Sequence, residues 1–515
     1  SPGVTRIRFC SAVTVAMDLN ASLLLLIAGG TLLVYILGLL SSNWNRKLPP
    51  GPFKLPLLGN NSLMAKYCVK YKGMHNGLLR LCEKFSTDIL MIRLNGDDVV
   101  VVQSEGLIDQ VCTREEFQAR PDTFFIRHRS MGTRNGITMT DGPLWQEQRA
   151  FAVRHMHNLG LGKSRMEFLI IEEIQNMFSA LKDGGSNIQI RQHISACVLN
   201  VLWAMVTGSR FKDEATLKKL ISLMERRAKA FNMGGGVLCQ FPWVRFIAPE
   251  RTGYNLITQL NTEFKNFILD IIKEHKATYN KDVTRDFIDA FLHEMNKNDS
   301  QSFFTDDQLI MVCMDFFIAG SQTTSSTLDF ALLHMIFYPD VQQRAQEELD
   351  RVLTPNQIPS IVDKARLPYT DAVLMESQRV SHVVPVIGPR RVLSDTKLGG
   401  YDIPKGTTIL MNLVPLAKDP AKWDQPNSFV PERFTEEKGR ANYERNIFSF
   451  GKGKRRCPGE ALARSFMFIF FASFLHRFKL EQNSDNPPTL DPIPGITLST
   501  TPYDLKLSLR HPLKT

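Results

Sequence analysis

No two cysteines of this 515-residue chain stand in a C-x-x-C pair. Cys10, Cys68, Cys82, Cys112, Cys197, Cys239, Cys313 and Cys457 are scattered, which excludes a disulfide framework and a cysteine-built zinc site and fits a reducing compartment. Nothing interleaves basic and aromatic residues as a nucleic-acid channel would, so the net charge of +10 points to an acidic partner or a membrane surface. Internal repeats, low-complexity tracts and linker-like breaks are also missing, which removes solenoids and arrays. What is present is ordinary for a globular protein: 43% apolar and 22% charged residues, enough for a substantial core.

One stretch organises the rest. Phe450-Gly451-Lys452-Gly453-Lys454-Arg455-Arg456-Cys457-Pro458-Gly459 precedes the apolar run 461–478. A cysteine in a glycine-rich turn at a helix mouth faces free backbone N–H groups and the positive end of the helix dipole, which favour a thiolate. Gly451 and Gly453 permit a tight turn, and Pro458 suits a first helical turn because it needs no donor there. The sulfur is expected to be a ligand.

Phe450, Gly453, Arg455, Cys457 and Gly459 resemble, in order and spacing, the F-x-x-G-x-R-x-C-x-G haem-binding loop of the cytochrome P-450 family, with Gly451 beside them. The resemblance implies haem b (iron protoporphyrin IX) with Cys457 as the iron's thiolate ligand. It covers Leu48 to the C-terminus and implies a mainly α fold with a minor β-sheet, that of a haem-thiolate monooxygenase.

At the other end, residues 21–40 carry no charge, and at about 1.5 Å per residue they match a hydrocarbon core of about 30 Å. They are expected to form one transmembrane helix, a cleaved signal peptide or a buried helix being the competing readings. Arg46 and Lys47 follow it and Asp18 precedes it, which places the remainder in the cytoplasm. Arg6 and Arg8 oppose that orientation unless residues 1–16 are upstream sequence and Met17 is the true start. The expected organisation is a leader over 1–16, an anchor over 17–44, a proline-rich hinge over 45–60 and a haem-binding catalytic domain over 61–515. The hinge, with Pro49, Pro50, Pro52 and Pro56, cannot continue a helix.

Residues 89–94 and 99–103 read as a hairpin around Asn95-Gly96, and residues 401–404 and 407–411 as a second strand pair around Lys405-Gly406. Helices are expected over 166–181, 194–206 and 254–272, and from a Thr305/Gln308 capping box to about Tyr338. This last helix is apolar nearly all round and must cross the interior. The apolar segment 231–249 is expected either to meet a membrane or to pack on the protein itself.

Trp145 and Arg149, at i and i+4, place two donors on one helix face. They resemble the family's W-x-x-x-R contact to a haem propionate, and Arg120, Arg390 and Arg455 resemble its remaining partners. Ala319-Gly320-Ser321-Gln322-Thr323-Thr324 resembles the oxygen-activation segment: Ala319 and Gly320 would let a flat cofactor approach, and the Thr323 hydroxyl would hold water. Gln322 stands where the family normally has a carboxylate, so a direct carboxylate proton relay is not expected. Glu376 and Arg379 with Arg433 resemble the family's structural E-x-x-R set. Lys452, Lys454, Arg456 and Arg154 are expected to form a basic face for a reductase.

The resemblance thus implies a monooxygenase of the endoplasmic reticulum membrane, its catalytic domain facing the cytoplasm. Electrons would come from an NADPH-dependent flavoprotein reductase, with cytochrome b5 as a second donor. The substrate would be a lipophilic small molecule such as a terpenoid hormone precursor or xenobiotic. A reductase-independent isomerase and a non-catalytic haem-based binder are the alternatives. The A-G-S-Q-T-T-S segment and the hinge most resemble arthropod members of the microsomal branch.

Overall fold

The computed structural model describes residues 29–30 and 46–511, except 56–57, 161, 183, 212, 231–235 and 298–302. The expected leader, and the expected anchor apart from helical Gly29 and Gly30, lie outside the described residues. Among the described residues no helix is long and apolar enough to cross a membrane.

Helices dominate, with nine short strands in three sheets among the described residues. The central helix, Asp306–Phe337, starts on Thr305, whose hydroxyl accepts from Gln308 N at 3.2 Å. Only half of the expected capping box forms. The Gln308 amide instead pairs with the backbone of Gly136, Oε1 accepting at 2.9 Å and Nε2 donating at 3.3 Å. A buried amide finds better compensation in a distant loop with unpaired backbone than in its own N-cap. The central helix packs most extensively on Ile190–Thr207 and also against Glu460–Arg477, the helix that follows Cys457. Phe466, Phe468, Phe470, Phe471 and Phe474 of that last helix are buried in the main core. Each removes an aromatic ring from water, a stabilisation of about 1.5–3 kcal/mol per side chain.

The expected hairpin forms between β1 (Ile89–Leu94) and β2 (Asp97–Val102), with Asn95 at φ 53° and Gly96 at φ 89°. After β3 (Gly185–Ile188) come β4 (Val386–Arg391), β5 (Thr396–Leu398), β6 (Tyr401–Ile403) and β7 (Thr408–Asn412). The second expected pair does not form: β6 pairs with β5, whereas β7 lies between β2, to which it is parallel, and β4. β7 reads Thr-Ile-Leu-Met-Asn with its last four residues buried, so it belongs at the centre of a sheet rather than in an exposed two-stranded ribbon. β8 (Phe478–Gln482) and β9 (Leu505–Leu509) complete a third sheet with β3.

The proline hinge is built into the body. Met91 N donates to Pro50 O at 2.8 Å, and the Lys47 and Asp402 segments bond each other twice. A Cβ on Gly51 would stand 1.9 Å from the Met91 carbonyl oxygen, so this crossing requires glycine.

Candidate active site

Cys457 sits between a 3-10 turn, Gly453–Arg455, and the helix beginning at Glu460. Its backbone N–H donates to Phe450 O at 2.8 Å, closing the loop on itself. Gly451 and Gly453 have φ of 70° and 67°, and a Cβ on Gly453 would lie 2.3 Å from the Cys112 carbonyl oxygen. Pro458 falls before the N-cap, Gly459, rather than in the first turn. Cys457 is exposed, unlike the other described cysteines. Although its surface is open, the protein atoms packed around the sulfur, with Glu460, push its thiol up, while the Gly459 N–H, Arg149 and Arg456 pull it down. The helix-mouth N–H and the two arginines thus act in the expected direction, against that desolvation. Coordination to a metal deprotonates a thiol outright.

Beside Phe450, a recess opens between the central helix and Glu460–Arg477. Thr323, Thr324, Val383, Phe450 and Ala463 are among its walls. Small and hydroxyl side chains on facing helices leave a slot of the kind a flat cofactor fills.

The arginines define one edge. β4 carries a register irregularity between Ile387 and Arg390, a local bulge that turns Arg390 inward until 1% of it is exposed. Arg390 Nε and Nη1 are buried without a hydrogen-bond partner, and so is Arg120 Nε. Arg120 Nη1 donates to Pro389 O at 2.7 Å, across the bulge. Arg455 donates to Gln118 O from Nε and Nη2, at 3.0 and 2.8 Å, and to Thr140 O from Nη1 at 2.8 Å. Its guanidinium lies 3.5 Å from the centre of the Trp145 ring. Arg149 donates to Arg456 O and stands 5.8 Å from the same ring. Trp145 and Arg149 both come from the helix Gly142–Asn158.

These four guanidiniums are crowded together, and among the described residues none of them forms an ion pair with a carboxylate. Burial first, then Arg390 and Arg455 beside it, hold Arg120 well below its ordinary value. Burial, offset in part by the Cys112 thiol and reinforced by Arg149, brings Arg390 down to about 10. Burial and the neighbouring Arg390 bring Arg455 down to about 9. Uncompensated buried cations are costly unless an anion joins them. A cluster of this charge with orphaned N–H groups, beside a slot and a cysteine, fits a flat cofactor carrying two carboxylates.

On the central helix, Ala319 is exposed and Thr323 half-buried. The Thr323 hydroxyl donates to Ala319 O and the Thr327 hydroxyl to Thr323 O, both at 2.8 Å. A Cβ on Gly320 would meet Leu202 Cδ1 at 2.9 Å, so its small size also suits packing against Ile190–Thr207. The half-buried Gln322 side chain has no hydrogen-bond partner among the described residues.

The E-x-x-R pair is fully buried. Arg379 meets Glu376 through two bonds of 2.7 Å and donates to Ala417 O, Pro426 O and Ser428 O. Arg433 reaches Glu376 Oε1 at 3.3 Å. The expected basic face is less open than its sequence suggests, because Lys452 pairs with Asp109, Lys454 with Glu115 and Arg456 with Glu460. Arg154 is exposed.

Two features of the site were missed from the sequence. Asp315 Oδ2 accepts from Ile137 N and Thr138 N at 2.8 and 2.9 Å, tying the loop after Phe124–Arg129 to the central helix. A lone acid inside an apolar helix was the available signal. Arg227, on Glu214–Ala230, donates to Asn261 Oδ1 at 3.1 Å and to Arg129 O at 2.8 Å, and Asn261 donates to His128 O at 2.8 Å. This joins three elements over the same loop, and no local pattern announces it.

A family model described as cytochrome P450 matches residues 49–507. The chain belongs to the cytochrome P450 family. It is 40% identical over 477 residues to probable cytochrome P450 305a1 of Drosophila melanogaster, covering 90% of this chain and 95% of that one. Farnesoate epoxidase of Bombyx mori is 35% identical, with 90% and 94% covered. Cytochrome P450 2J1 of Oryctolagus cuniculus is 35% identical, with 92% and 94% covered. The chain is accordingly a cytochrome P450-type monooxygenase of a family that binds haem through a thiolate, with the mainly helical fold and minor sheet described above.

Proposed function

We propose that this monooxygenase inserts one oxygen atom into a lipophilic terpenoid-like molecule, by epoxidation or hydroxylation, with electrons from an NADPH-dependent reductase. The observation that carries the site assignment is the buried arginine cluster with its orphaned N–H groups beside Cys457. Cys457 supplies the thiolate ligand of haem b, and Arg120, Arg149, Arg390 and Arg455, with Trp145, hold its carboxylates. Phe450 and Thr323 wall the recess, and the exposed Ala319, one turn before Thr323, leaves room for a flat cofactor. When bound, the haem supplies the oxygen chemistry.

The protein's own residues then do three things. The arginines neutralise and orient the cofactor's edge. Thr323, already donating to Ala319 O, keeps its oxygen lone pairs available to accept from water, while the free amide of Gln322 can orient that water without releasing a proton. Val383, Val384, Leu413, Phe450 and Met467 give the recess an apolar part that favours an apolar substrate. The likeness to a farnesoate epoxidase supports the terpenoid class.

The membrane side is part of the proposal. Residues 17–44 anchor the chain in the endoplasmic reticulum membrane with the catalytic domain in the cytoplasm, and 45–60 form the hinge. Phe53, 82% exposed, lies in that hinge. Val237, Trp243, Phe246 and Ile247 are exposed while Leu238 and Cys239 turn inward, so the segment after 236 both packs on the body and offers apolar residues to lipid. Incubation with reductase, NADPH and a panel of terpenoids, fatty acids and steroids tests the reading. An oxygenated terpenoid, lost in Cys457→Ser, is expected. Turnover without reductase would refute it.

A further inference from the structure

Outside the recess, three side chains from different elements converge. Asp350 lies at the end of the helix Pro339–Val352, His476 in the last turn of Glu460–Arg477, and His511 just after β9. His476 is 2% exposed. Its Nδ1 stands 3.1 Å from the Gln357 carbonyl oxygen, which can only accept, so Nδ1 carries the proton and Nε2 presents a lone pair. That Nε2 is buried with no hydrogen-bond partner, and so is Nε2 of His511. Both face Asp350 Oδ1, at 3.7 and 3.4 Å.

The spacing is informative. An imidazole bonded directly to a carboxylate closes to about 2.7–3.2 Å. Another histidine–carboxylate cluster among the described residues does so: His275 Nε2 is 3.0 Å from Asp286 Oδ2, and the neighbouring Asp289 is taken by Arg285. At Asp350 the gaps are wider. Two ligand atoms held about 2.0–2.1 Å from a tetrahedral zinc ion stand about 3.3–3.4 Å apart, close to the separations here. The surroundings also match what metal ligands require. One histidine has its other nitrogen fixed by a carbonyl. The carboxylate's second oxygen accepts from Arg510 Nη2 at 2.7 Å, and Arg510 Nη1 is in turn fixed on His476 O at 2.9 Å.

We propose that His476 Nε2, His511 Nε2 and Asp350 Oδ1 form a binding site for a divalent transition metal of the zinc class. Two imidazoles and one carboxylate suit zinc and disfavour magnesium or calcium, which take oxygen ligands. Asp350, whose side chain is 39% exposed, leaves the remaining coordination position open to water. The ion would staple the end of β9 to two helices, one of them leading back to Cys457. The role is therefore structural, and haem chemistry does not depend on it.

The test uses untagged, chelator-treated holoenzyme titrated with zinc chloride by calorimetry, with thermal unfolding in parallel. One zinc per chain is expected, with a raised Tm, and no response to magnesium or calcium at the same concentration. His511→Gln and Asp350→Asn should each weaken zinc binding at least about tenfold with the haem spectrum unchanged. Asp350→Asn, on the exposed side, carries the test if His511→Gln lowers the yield. Absence of stoichiometric binding, or equal affinity in the wild type and the testable variants, overturns the proposal.

Discussion

Replacing Arg390 with leucine should move two stabilities in opposite directions. In the protein alone, Arg390 is 1% exposed, has two N–H-bearing nitrogens without partners, and lies among other guanidiniums. The fall from 12.5 to about 10 corresponds to about 3 kcal/mol of unfavourable burial and repulsion. Exchange for an apolar side chain of similar reach should therefore stabilise apoprotein, within the range of about 1–4 kcal/mol found when buried charges are replaced. In the haem-loaded protein the same nitrogens are proposed to donate to a cofactor carboxylate. A hydrogen bond to a charged group contributes about 1.5–3 kcal/mol, so the variant should lose haem about 10 to 150 times faster.

Haem transfer to excess apomyoglobin measures the loss rate, and urea unfolding of apoprotein measures the other term. The opposite signs matter, because a variant that merely damages packing would lower both. A loss rate within about twofold of wild type would refute the assignment of Arg390 to the cofactor, whatever its effect on the apoprotein.

Thr323→Ala should raise NADPH consumption and hydrogen peroxide release relative to product, because the hydroxyl that would hold water is gone; Gln322→Glu should preserve or improve that coupling. An unchanged ratio of product to NADPH in Thr323→Ala would place the proton route elsewhere. Arg379→Ala leaves Glu376 buried and half-paired and frees three carbonyls, a loss of about 3–5 kcal/mol; the yield of haem-loaded protein and its urea midpoint should both fall sharply, and a midpoint near wild type would show the pair to be dispensable.

Much of the site is legible in sequence because its parts are local. The turn at Gly451–Gly459, the Trp145/Arg149 face and the Glu376/Arg379 pair each lie within one turn or loop, where spacing fixes geometry. What escaped reading depends on partners far away along the chain. β7 pairs with β2 across some three hundred residues, so its neighbours could not be inferred from the Lys405-Gly406 turn beside it. Gln308 leaves its capping box for Gly136, and the closeness of Leu202 to Gly320 has no local signal. The thiol of Cys457 answers to the whole fold as well as to its helix mouth, since desolvation and Glu460 oppose the Gly459 N–H, Arg149 and Arg456. The lysines of the ligand loop read as free charges until Asp109 and Glu115 arrived from another helix and turn.

These misses share a physical pattern with the arginine cluster. Arg455 is braced by the carbonyls of Gln118 and Thr140, and Arg120 by that of Pro389, so the loop bearing Cys457, the start of Gly142–Asn158 and the bulge of β4 converge on like charges. A fold satisfied by its own chain would have placed an acid there. Asp141, the nearest candidate, is occupied instead by Arg134, Arg391 and the backbone of Arg120. The carboxylate supply of the neighbourhood is thus spent on positioning the loops, and the inner guanidiniums keep an unmet demand for negative charge. On this reasoning the cofactor completes the electrostatics of the fold as well as its chemistry, and folding to the final state should be coupled to haem binding by the amount those arginines gain.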